Sequence, residues 1–87
     1  MYYTKAVGKR LKELLKERNL TQTEFATKSN ISRITINRTI NGKVDVVTFE
    51  TLLAFCKTLD ISLKAFFASE LFNEDIEFYK KKKGKRI

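Results

Sequence analysis

Three copies of one short pattern divide the chain: Asn or Asp, then an aliphatic residue, then Ser or Thr. The three copies read Asn19-Leu20-Thr21, Asn30-Ile31-Ser32 and Asp60-Ile61-Ser62. Asn tolerates the left-handed backbone that ends a helix, and Asp does so less readily. The hydroxyl group can then accept a backbone N–H bond in the first turn of the next helix. Each copy therefore predicts a tight corner between two helices, and the chain must be built largely of short helices.

Between the corners, apolar residues recur at helical spacing. The stripes are Val7, Leu11, Leu14, Leu15; Phe25, Ala26; Ile36, Ile40; Phe49, Leu52, Leu53, Cys56, Leu59; and Leu63, Phe66, Phe67. Thr21 and Glu24 form a capping-box pattern, and Asn41-Gly42 is a helix stop. The sequence therefore predicts an all-α fold, a compact five-helix bundle with helices at about 4–18, 22–29, 33–41, 49–58 and 63–71.

The segment NISRITINRTING, residues 30–42, holds the least obvious of these helices. Six of the ten residues from Ile31 to Ile40 are β-branched, a composition that by itself favours a strand. Ser32 and the Asn-Gly stop instead frame a short helix. On a helix that begins near residue 33, positions 33, 34, 37, 38 and 41 share one face, and positions 36 and 40 point toward the core.

The side chains that most catalytic and metal sites need are scarce. The chain has no His and a single Cys, Cys56, which lies on an apolar stripe. This removes the usual general base, the Cys–His nucleophile pair and nearly all zinc sites, so we expect no enzyme, no cofactor and no metal. No apolar run approaches the roughly 20 residues that span a bilayer, and the N-terminus lacks the apolar stretch of a signal peptide. Together these features favour a cytoplasmic protein with no membrane partner.

The net charge of +8 is unevenly distributed along the chain. Residues 1–43 carry 10 basic and 3 acidic side chains, residues 44–79 carry 2 basic and 7 acidic ones, and residues 80–87 carry 6 basic ones and no acidic one. A basic half beside an acidic half predicts an anionic partner on one side, with nucleic acid ahead of a membrane surface. The alternative is ordinary solvated charge, with a terminal run that keeps the protein in solution.

Two segments, LTQTEFATKSNISRITINRTINGK and TFETLLAFCKTLDISLKAFF, resemble the Cro/phage-repressor type (XRE-like) of helix-turn-helix domain. The likeness runs from about Val7 to Phe67. It includes the Gln at the start of the second helix, Ser-Arg before the third and Asn-Gly-Lys after it. The resemblance implies a lambda-repressor-like fold in a transcriptional regulator, such as a repressor. It also implies a homodimer that places the second helix of each motif in the major groove of a near-palindromic operator in double-stranded DNA.

The resemblance also assigns contacts to individual residues. Positions around the motif match phosphate contacts, and positions on the reading helix match base contacts. The first group is Gln22, Ser32 (chiefly a helix cap), Asn41 and Lys43, and the second is Arg33, Ile34, Asn37 and Arg38. Arg suits guanine O6/N7, Asn suits adenine and Ile suits a thymine methyl. The alternatives are plain surface roles for the Arg and Gln side chains, a solvent-facing Asn37 and an Ile34 that folds into the core.

The chain departs from the family pattern in two ways. Family members often carry Gly where Asn19, Asn30 and Asp60 stand. Many also pair an Arg late in the first helix with a Glu just before Asn-Gly, and here those two positions hold Leu15 and Ile40. Replacing both partners of a partly buried ion pair by apolar residues can be neutral or stabilising. We therefore expect Leu15 and Ile40 to be in contact.

We expect a DNA-binding domain over residues 1–71 and an extension over 72–87, with a dimerisation segment followed by a basic tail. Within the extension, Phe72, Ile76 and Tyr79 favour a helix supported by a Glu77–Lys81 pair, whereas Ile76-Glu77-Phe78 can form a short strand. The tail either grips phosphate or aids solubility.

A second function also fits the C-terminal part. Its acidic and aromatic surface can serve a protein-interaction module, such as an antitoxin or antagonist, although we favour a dimer interface there. No aromatic stacking platform accompanies the basic region, which weighs against RNA binding. No small-molecule ligand is evident in the sequence.

Overall fold

A computed structural model describes residues 1–73 and 75–77 of the chain. Its α-helices are α1 (Tyr3–Glu17), α2 (Gln22–Ser29), α3 (Arg33–Ile40), α4 (Phe49–Leu59) and α5 (Leu63–Phe66), and a single 3₁₀ turn spans Glu70–Phe72. This part of the chain has five α-helices and no strand, which confirms the all-α prediction. The first four helices match their predicted bounds to within one residue at each end.

The three corner residues adopt the backbone that the pattern predicts. Asn19, Asn30 and Asp60 have φ angles of 58°, 62° and 57°, the left-handed region. Each of the hydroxyls that follow an aliphatic corner residue accepts an N–H bond three residues later, as Thr21 does from Glu24 in a complete capping box. The aliphatic residues pack back on the core, so each corner ends one helix and starts the next within three residues.

The core gathers one face of each helix. Its apolar members are Ala6, Val7, Leu11, Leu14, Leu15, Phe25, Ile36, Ile40, Leu52, Phe55, Cys56, Leu59 and Phe66. Burial raises the pKa of the Cys56 thiol, in keeping with a packing role. The predicted stripe of α4 was wrong at two positions, because Phe49 and Leu53 are exposed and Phe55 is buried instead. The helix turns Phe55 toward Phe25 of α2, where the ring centroids lie 5.7 Å apart. Phe67 of the last stripe is also exposed.

Helix α1 crosses α3 at very close range. Gly8 is buried, and a Cβ atom there would overlap the carbonyl oxygen of Thr39. The missing side chain therefore sets how closely the two backbones approach. Leu15 and Ile40 are both buried in the same apolar cluster, as their expected pairing requires, and their direct contact stays a prediction.

Helix α5 is shorter than the predicted span of 63–71. Arg10 of α1 ends it: Nε donates to the carbonyl oxygen of Phe66 at 2.6 Å and Nη2 to that of Ala65 at 2.9 Å. The bond to Phe66 occupies a carbonyl group that would otherwise accept from the next helical turn, whereas the Ala65 carbonyl oxygen also accepts from the Ala68 N–H at 3.2 Å. Ser69 then caps the 3₁₀ turn through its Oγ, which accepts from the N–H of Leu71. Nothing in the apolar spacing distinguishes this arrangement from one continuous helix.

The chain then returns to the start of α1. Glu77 and Tyr2 form an isolated parallel bridge, with backbone N–H bonds of 2.8 Å from Tyr3 to Glu77 and 2.9 Å from Glu77 to Met1. This isolated bridge is not a strand, so the choice between the helix and the strand interpretation of this segment stays open. The rest of both interpretations, with Phe78, Tyr79 and Lys81, lies outside the described residues, as does the basic tail.

The predicted domain boundary after residue 71 stays a prediction. The 3₁₀ turn runs across that position, and Phe72 packs against the core. Within the described part of the chain, no helix combines the length and the apolar character that crossing a membrane requires.

Candidate nucleic-acid interface

Helix α3 forms from a strand-like composition because both of its ends are fixed. The Oγ of Ser32 accepts an N–H bond from Thr35 at 3.1 Å. At the other end Gly42 has φ +68° and its N–H donates to the carbonyl oxygen of Thr39. Ile36 and Ile40 anchor the helix in the core, and the hydroxyl of buried Thr39 donates to the carbonyl oxygen of Thr35 at 2.8 Å. Caps and packing together override the β-branched residues.

The outer face of α3 carries the four side chains that the resemblance assigned to bases. Arg33, Ile34, Asn37 and Arg38 line one shallow concavity of about 270 Å³. Ile34 is 74% exposed, so the alternative in which it folds into the core was wrong. An exposed isoleucine between two arginines leaves an apolar contact point inside a cationic surface. Such a surface can offer hydrogen-bond donors and a methyl contact to the same partner.

A chain of amide hydrogen bonds joins α2 to α3. Asn41 Nδ2 donates to Asn37 Oδ1 at 3.3 Å, and Asn37 Nδ2 donates to Gln22 Oε1 at 3.1 Å. Asn37 is exposed, but it is not a bystander, because it links the other two side chains. With its oxygen used in this way, Gln22 presents its NH₂ group as a donor at the first turn of α2, where backbone N–H groups also favour an anion.

Arg38 and Lys43 hold the loop after α3 in place. Nη2 of Arg38 donates to the carbonyl oxygen of Lys43 at 3.0 Å, and the N–H of Lys43 donates to the carbonyl oxygen of Arg38 at 2.8 Å. A guanidinium group has five N–H donors, so this bond leaves others for a base or a phosphate. The sequence predicted only the outward role of Arg38 and gave no sign of the bond to the loop.

The Ser32 hydroxyl both accepts and donates a hydrogen bond at the start of α3. Besides accepting from the Thr35 N–H, it donates to Thr35 Oγ1 at 2.9 Å. The predicted capping role is therefore present in the structure. To donate to a phosphate, this hydroxyl would have to give up its hydrogen bond to Thr35 Oγ1. The expected phosphate contact of Ser32 therefore stays a prediction.

The sequence of the motif is almost entirely positive in charge. From Arg18 to Val44 it has a single acidic residue, Glu24, and Asp45 follows just after this stretch. Hydrogen bonds from the backbone and side chain of Thr21 lower the pKa of the Glu24 carboxyl group, which is committed to the capping box. The exposed side chains of Arg33 and Arg38 therefore have no carboxylate near them in sequence, whereas Lys43 shares a concavity with Asp45 and Glu77.

One further basic residue joins this surface without any warning in the sequence. Lys5 is exposed on the first turns of α1, and its Cγ lies 3.5 Å from the point where a side chain on Gly42 would begin. It therefore stands beside the loop that carries Lys43. Only the close crossing of α1 and α3 brings it there, because local spacing does not relate positions 37 residues apart.

Comparison with known proteins agrees with this arrangement. A family model described as a Cro/C1-type HTH DNA-binding domain matches residues 10–67. A solved structure of an HTH_3 family transcriptional regulator from Vibrio cholerae matches with a TM-score of 0.72 and 26% identity, covering 78% of this chain and 38% of that one. A variant of the restriction-modification controller protein C.Esp1396I matches with a TM-score of 0.72 and 27% identity, covering 80% of this chain and 86% of that one.

The chain thus spans little more than a third of the Vibrio cholerae regulator. No curated protein sequence matches it. The family model covers α2, α3 and the loop that follows them, which carry most of the candidate interface, and it also covers α4. The chain therefore belongs to the Cro/C1-type helix-turn-helix family, and it is a DNA-binding domain of the kind that transcriptional regulators carry.

Proposed function

We propose that this protein is a sequence-specific regulator of transcription that reads double-stranded DNA with α3 in the major groove. The observation that carries the proposal is the shared concavity of Arg33, Ile34, Asn37 and Arg38 on the exposed face of a capped helix. A major groove about 12 Å wide admits one α-helix, and only side chains on its outer face can reach base edges.

Each side chain of the outer face suits a different feature of the groove. The arginines suit guanine O6 and N7, Asn37 suits adenine, and Ile34 suits a thymine methyl. Around them, we assign the Gln22 amide, the Asn41 side chain and Lys43 to phosphate oxygens, contacts that would fix the register of the helix on the duplex. Asn37 connects the two sets, because its amide is bonded to both Gln22 and Asn41.

We further propose that the protein acts as a homodimer on a near-palindromic operator. Phe49 and Leu53 lie four residues apart on one face of α4 and are 61% and 42% exposed, and Val46 just before the helix is 61% exposed. Large apolar side chains gathered in this way are typical of an interface. A two-fold dimer would present two α3 helices to half-sites roughly 34 Å apart.

Selection of bound sequences from a pool of random duplex DNA tests the proposal most directly. We expect a short site of two inverted halves, bound at least about 10³-fold more tightly than a scrambled duplex at physiological salt. The double variant Ile34→Ala/Asn37→Ala should lose preference at particular bases. The variant Lys64→Gln, at an exposed position of α5, is the control, and it should select the wild-type site. A pool that returns no enriched sequence contradicts sequence-specific reading.

A protein-interaction module is the second candidate function. A cavity of about 470 Å³, lined mainly by apolar residues that include Val7, Leu52 and Phe72, opens between α1, α4 and the C-terminal segment. Light scattering distinguishes a partner protein bound at this cavity from a homodimer formed through the exposed face of α4. A stable homodimer whose mass is unchanged by Phe72→Ala but halved by Phe49→Asp/Leu53→Asp supports the α4 interface, and a monomer in all forms favours a different protein as partner.

A further inference from the structure

Helix α1 carries four exposed lysines along one side. They are Lys5, Lys9, Lys12 and Lys16. Positions i, i+4, i+7 and i+11 fall in one narrow sector of a helix, so these side chains form a continuous row, here called the lysine stripe. At a rise of about 1.5 Å per residue, the stripe is about 16 Å long. Among the described residues the only ion pair joins Arg10 to Glu13, so the lysines of the stripe have no carboxylate partner there.

The stripe lies on the side of α1 that turns toward the reading helix. Gly8 marks the line along which α1 meets α3, because a Cβ atom there would overlap the carbonyl oxygen of Thr39. Lys5 and Lys12 stand three residues before and four residues after Gly8, so both flank that line. The Cγ of Lys5 lies 3.5 Å from the point where a side chain on Gly42 would begin. The N-terminal end of the stripe therefore adjoins the loop that follows α3.

The carboxylates of α1 do not neutralise the stripe. The helix has two acidic residues, both in its C-terminal half. Glu13 Oε1 accepts from Arg10 Nη1 at 3.2 Å and from Ser69 Oγ at 3.4 Å, on the side of the 3₁₀ turn. The other, Glu17, is the last residue of the helix. The N-terminal half of α1 is therefore purely cationic.

Two carboxylates from other parts of the chain stand near the N-terminal end of the stripe. Asp45 and Glu77 line a concavity that Thr4 and Lys43 also line. Their field offsets part of the attraction between Lys5 and an anion. A single lysine beside them would hold a phosphate weakly, so the binding that we propose below belongs to the row of four and not to Lys5 alone.

The stripe does not stabilise α1. Like charges three and four residues apart repel each other on a helix surface. A cation in the first turn also opposes the helix macrodipole, and the first turn of α1 has no acidic residue to balance Lys5. Replacing the lysines by Gln should therefore leave the fold intact, so that a loss of binding in such variants is not a loss of folding.

We propose that the lysine stripe binds the phosphate backbone of double-stranded DNA beside the half-site that α3 reads. This inference rests on the proposed function and adds a second contact region to it. Phosphates along one strand are spaced about 3.4 Å apart along the axis, so a stripe of about 16 Å can face several of them. An anionic membrane fits less well, because the apolar face of α1 is buried in the core and leaves nothing to insert between lipids.

The test compares the full chain with a fourfold variant: Lys5→Gln, Lys9→Gln, Lys12→Gln and Lys16→Gln. The probes are the selected operator duplex and a scrambled duplex of equal length, across about 50–200 mM salt. We expect both affinities to fall at least tenfold near 0.1 M salt, and the slope of log K against log salt to become shallower by about 3 to 4. The midpoint of thermal unfolding should stay the same or rise, which shows that the variant is folded.

Matched single variants separate position from net charge. Lys5→Gln and Lys12→Gln should each make the slope shallower by about 1. Lys64→Gln removes the same charge from an exposed position of α5 and should change the slope little. Equal losses in all three variants, or a wild-type slope in the fourfold variant, overturn the inference while leaving the reading helix in place.

Neutral phosphates locate the contact on the DNA. Replacing single phosphates of the operator by uncharged methylphosphonates should weaken wild-type binding at positions beside the half-site, and the fourfold variant should be insensitive at those positions. The stripe is assigned to a membrane instead, and the inference fails, if the fourfold variant binds DNA normally but loses binding to phosphatidylserine vesicles. A full chain that binds no duplex at all overturns the proposed function as well.

Discussion

Ile34 and Ile36 stand two residues apart on α3, yet Ile34 is 74% exposed and Ile36 is fully buried. The first lies among two arginines and an asparagine, and the second lies in the core with Ile40. The same residue type, in the same helix, is therefore exposed on the proposed reading face at one position and part of the core at the other. The comparison teaches that the two faces of α3 can be altered separately, so that changes on one face affect stability and changes on the other affect binding to DNA.

The largest effect is expected at Ile40 on the inner face. Ile40→Glu would place a carboxylate in the core without a partner, at about 3–5 kcal/mol of the free energy of unfolding. Leu15→Arg in the same chain should restore much of that loss if the two side chains meet, since the pair would then be charged at both positions. Chemical denaturation of the two single variants and the double variant gives the coupling free energy. A coupling near zero would show that Leu15 and Ile40 are not in contact.

The two isoleucines test the comparison itself. Ile36→Ala should lower the free energy of unfolding by about 2–5 kcal/mol, because it leaves a cavity in the core. Ile34→Ala should change it by less than about 0.5 kcal/mol but weaken operator binding, mainly at one base pair that carries a thymine. Denaturation midpoints and affinities for operators substituted at single positions measure both quantities. Similar losses in the free energy of unfolding for the two variants would contradict the idea that the inner face of α3 determines stability and the outer face determines DNA binding.

Arg38 sharpens the comparison, because it is bonded to the loop after α3 and is also proposed to contact DNA. Arg38→Ala should cost about 1–3 kcal/mol in operator binding and relax the preference at one position. It also removes the bond to the carbonyl oxygen of Lys43, so the loop should lose protection from hydrogen exchange. Arg38→Lys keeps a charge but not the fork of donors, and it should restore affinity more than preference. An equal loss on every DNA sequence would make Arg38 a phosphate contact.

The smallest effect concerns the start of α2, where a residue on the binding side contributes to the fold. Hydrogen bonds from Thr21 lower the pKa of Glu24. The contribution of this carboxylate to the free energy of unfolding is therefore fully present above the pKa of the unfolded state, about 4.3. It is lost as the pH falls through the lower pKa of the folded state. Glu24→Gln should remove that part of the pH dependence. Unfolding followed at about pH 6 and pH 3 measures it, and an unchanged profile would show that the capping box contributes little.

The sequence predicted local structure well and long-range structure less well. Corners, caps and helix starts depend on neighbouring residues, so Asn19, Asn30 and Asp60 could each be assigned from three letters. The end of α5 depends on Arg10, which stands 56 residues before Phe66 in the chain. The exposed sides of α4 were misjudged because five apolar residues fit a helical stripe, and periodicity does not tell which of them face a partner.

In the candidate interface, too, local features could be predicted from the sequence and long-range contacts could not. Which residues occupy the outer face of α3 follows from helical geometry once its ends are known, and the structure places the four predicted side chains around one concavity. The bond between Gln22 and Asn37 depends on how α2 and α3 pack together, and the position of Lys5 depends on how closely α1 crosses α3. The spacing of residues in the sequence indicates neither this hydrogen bond nor the position of Lys5, so the sequence could not have revealed them.

The end of α3 also bears on how the protein ages chemically. In an Asn-Gly pair the glycine nitrogen can attack the carbonyl carbon of the asparagine side chain, which releases ammonia and forms a cyclic succinimide. Water then hydrolyses the succinimide to aspartate or isoaspartate. Here the Gly42 N–H is bonded to the Thr39 carbonyl oxygen, and the Asn41 amide is bonded to Asn37. The reaction therefore requires the last turn of α3 to open. Its rate then follows local unfolding, and each event adds negative charge at a position expected to meet phosphate, so an older molecule would bind DNA less well.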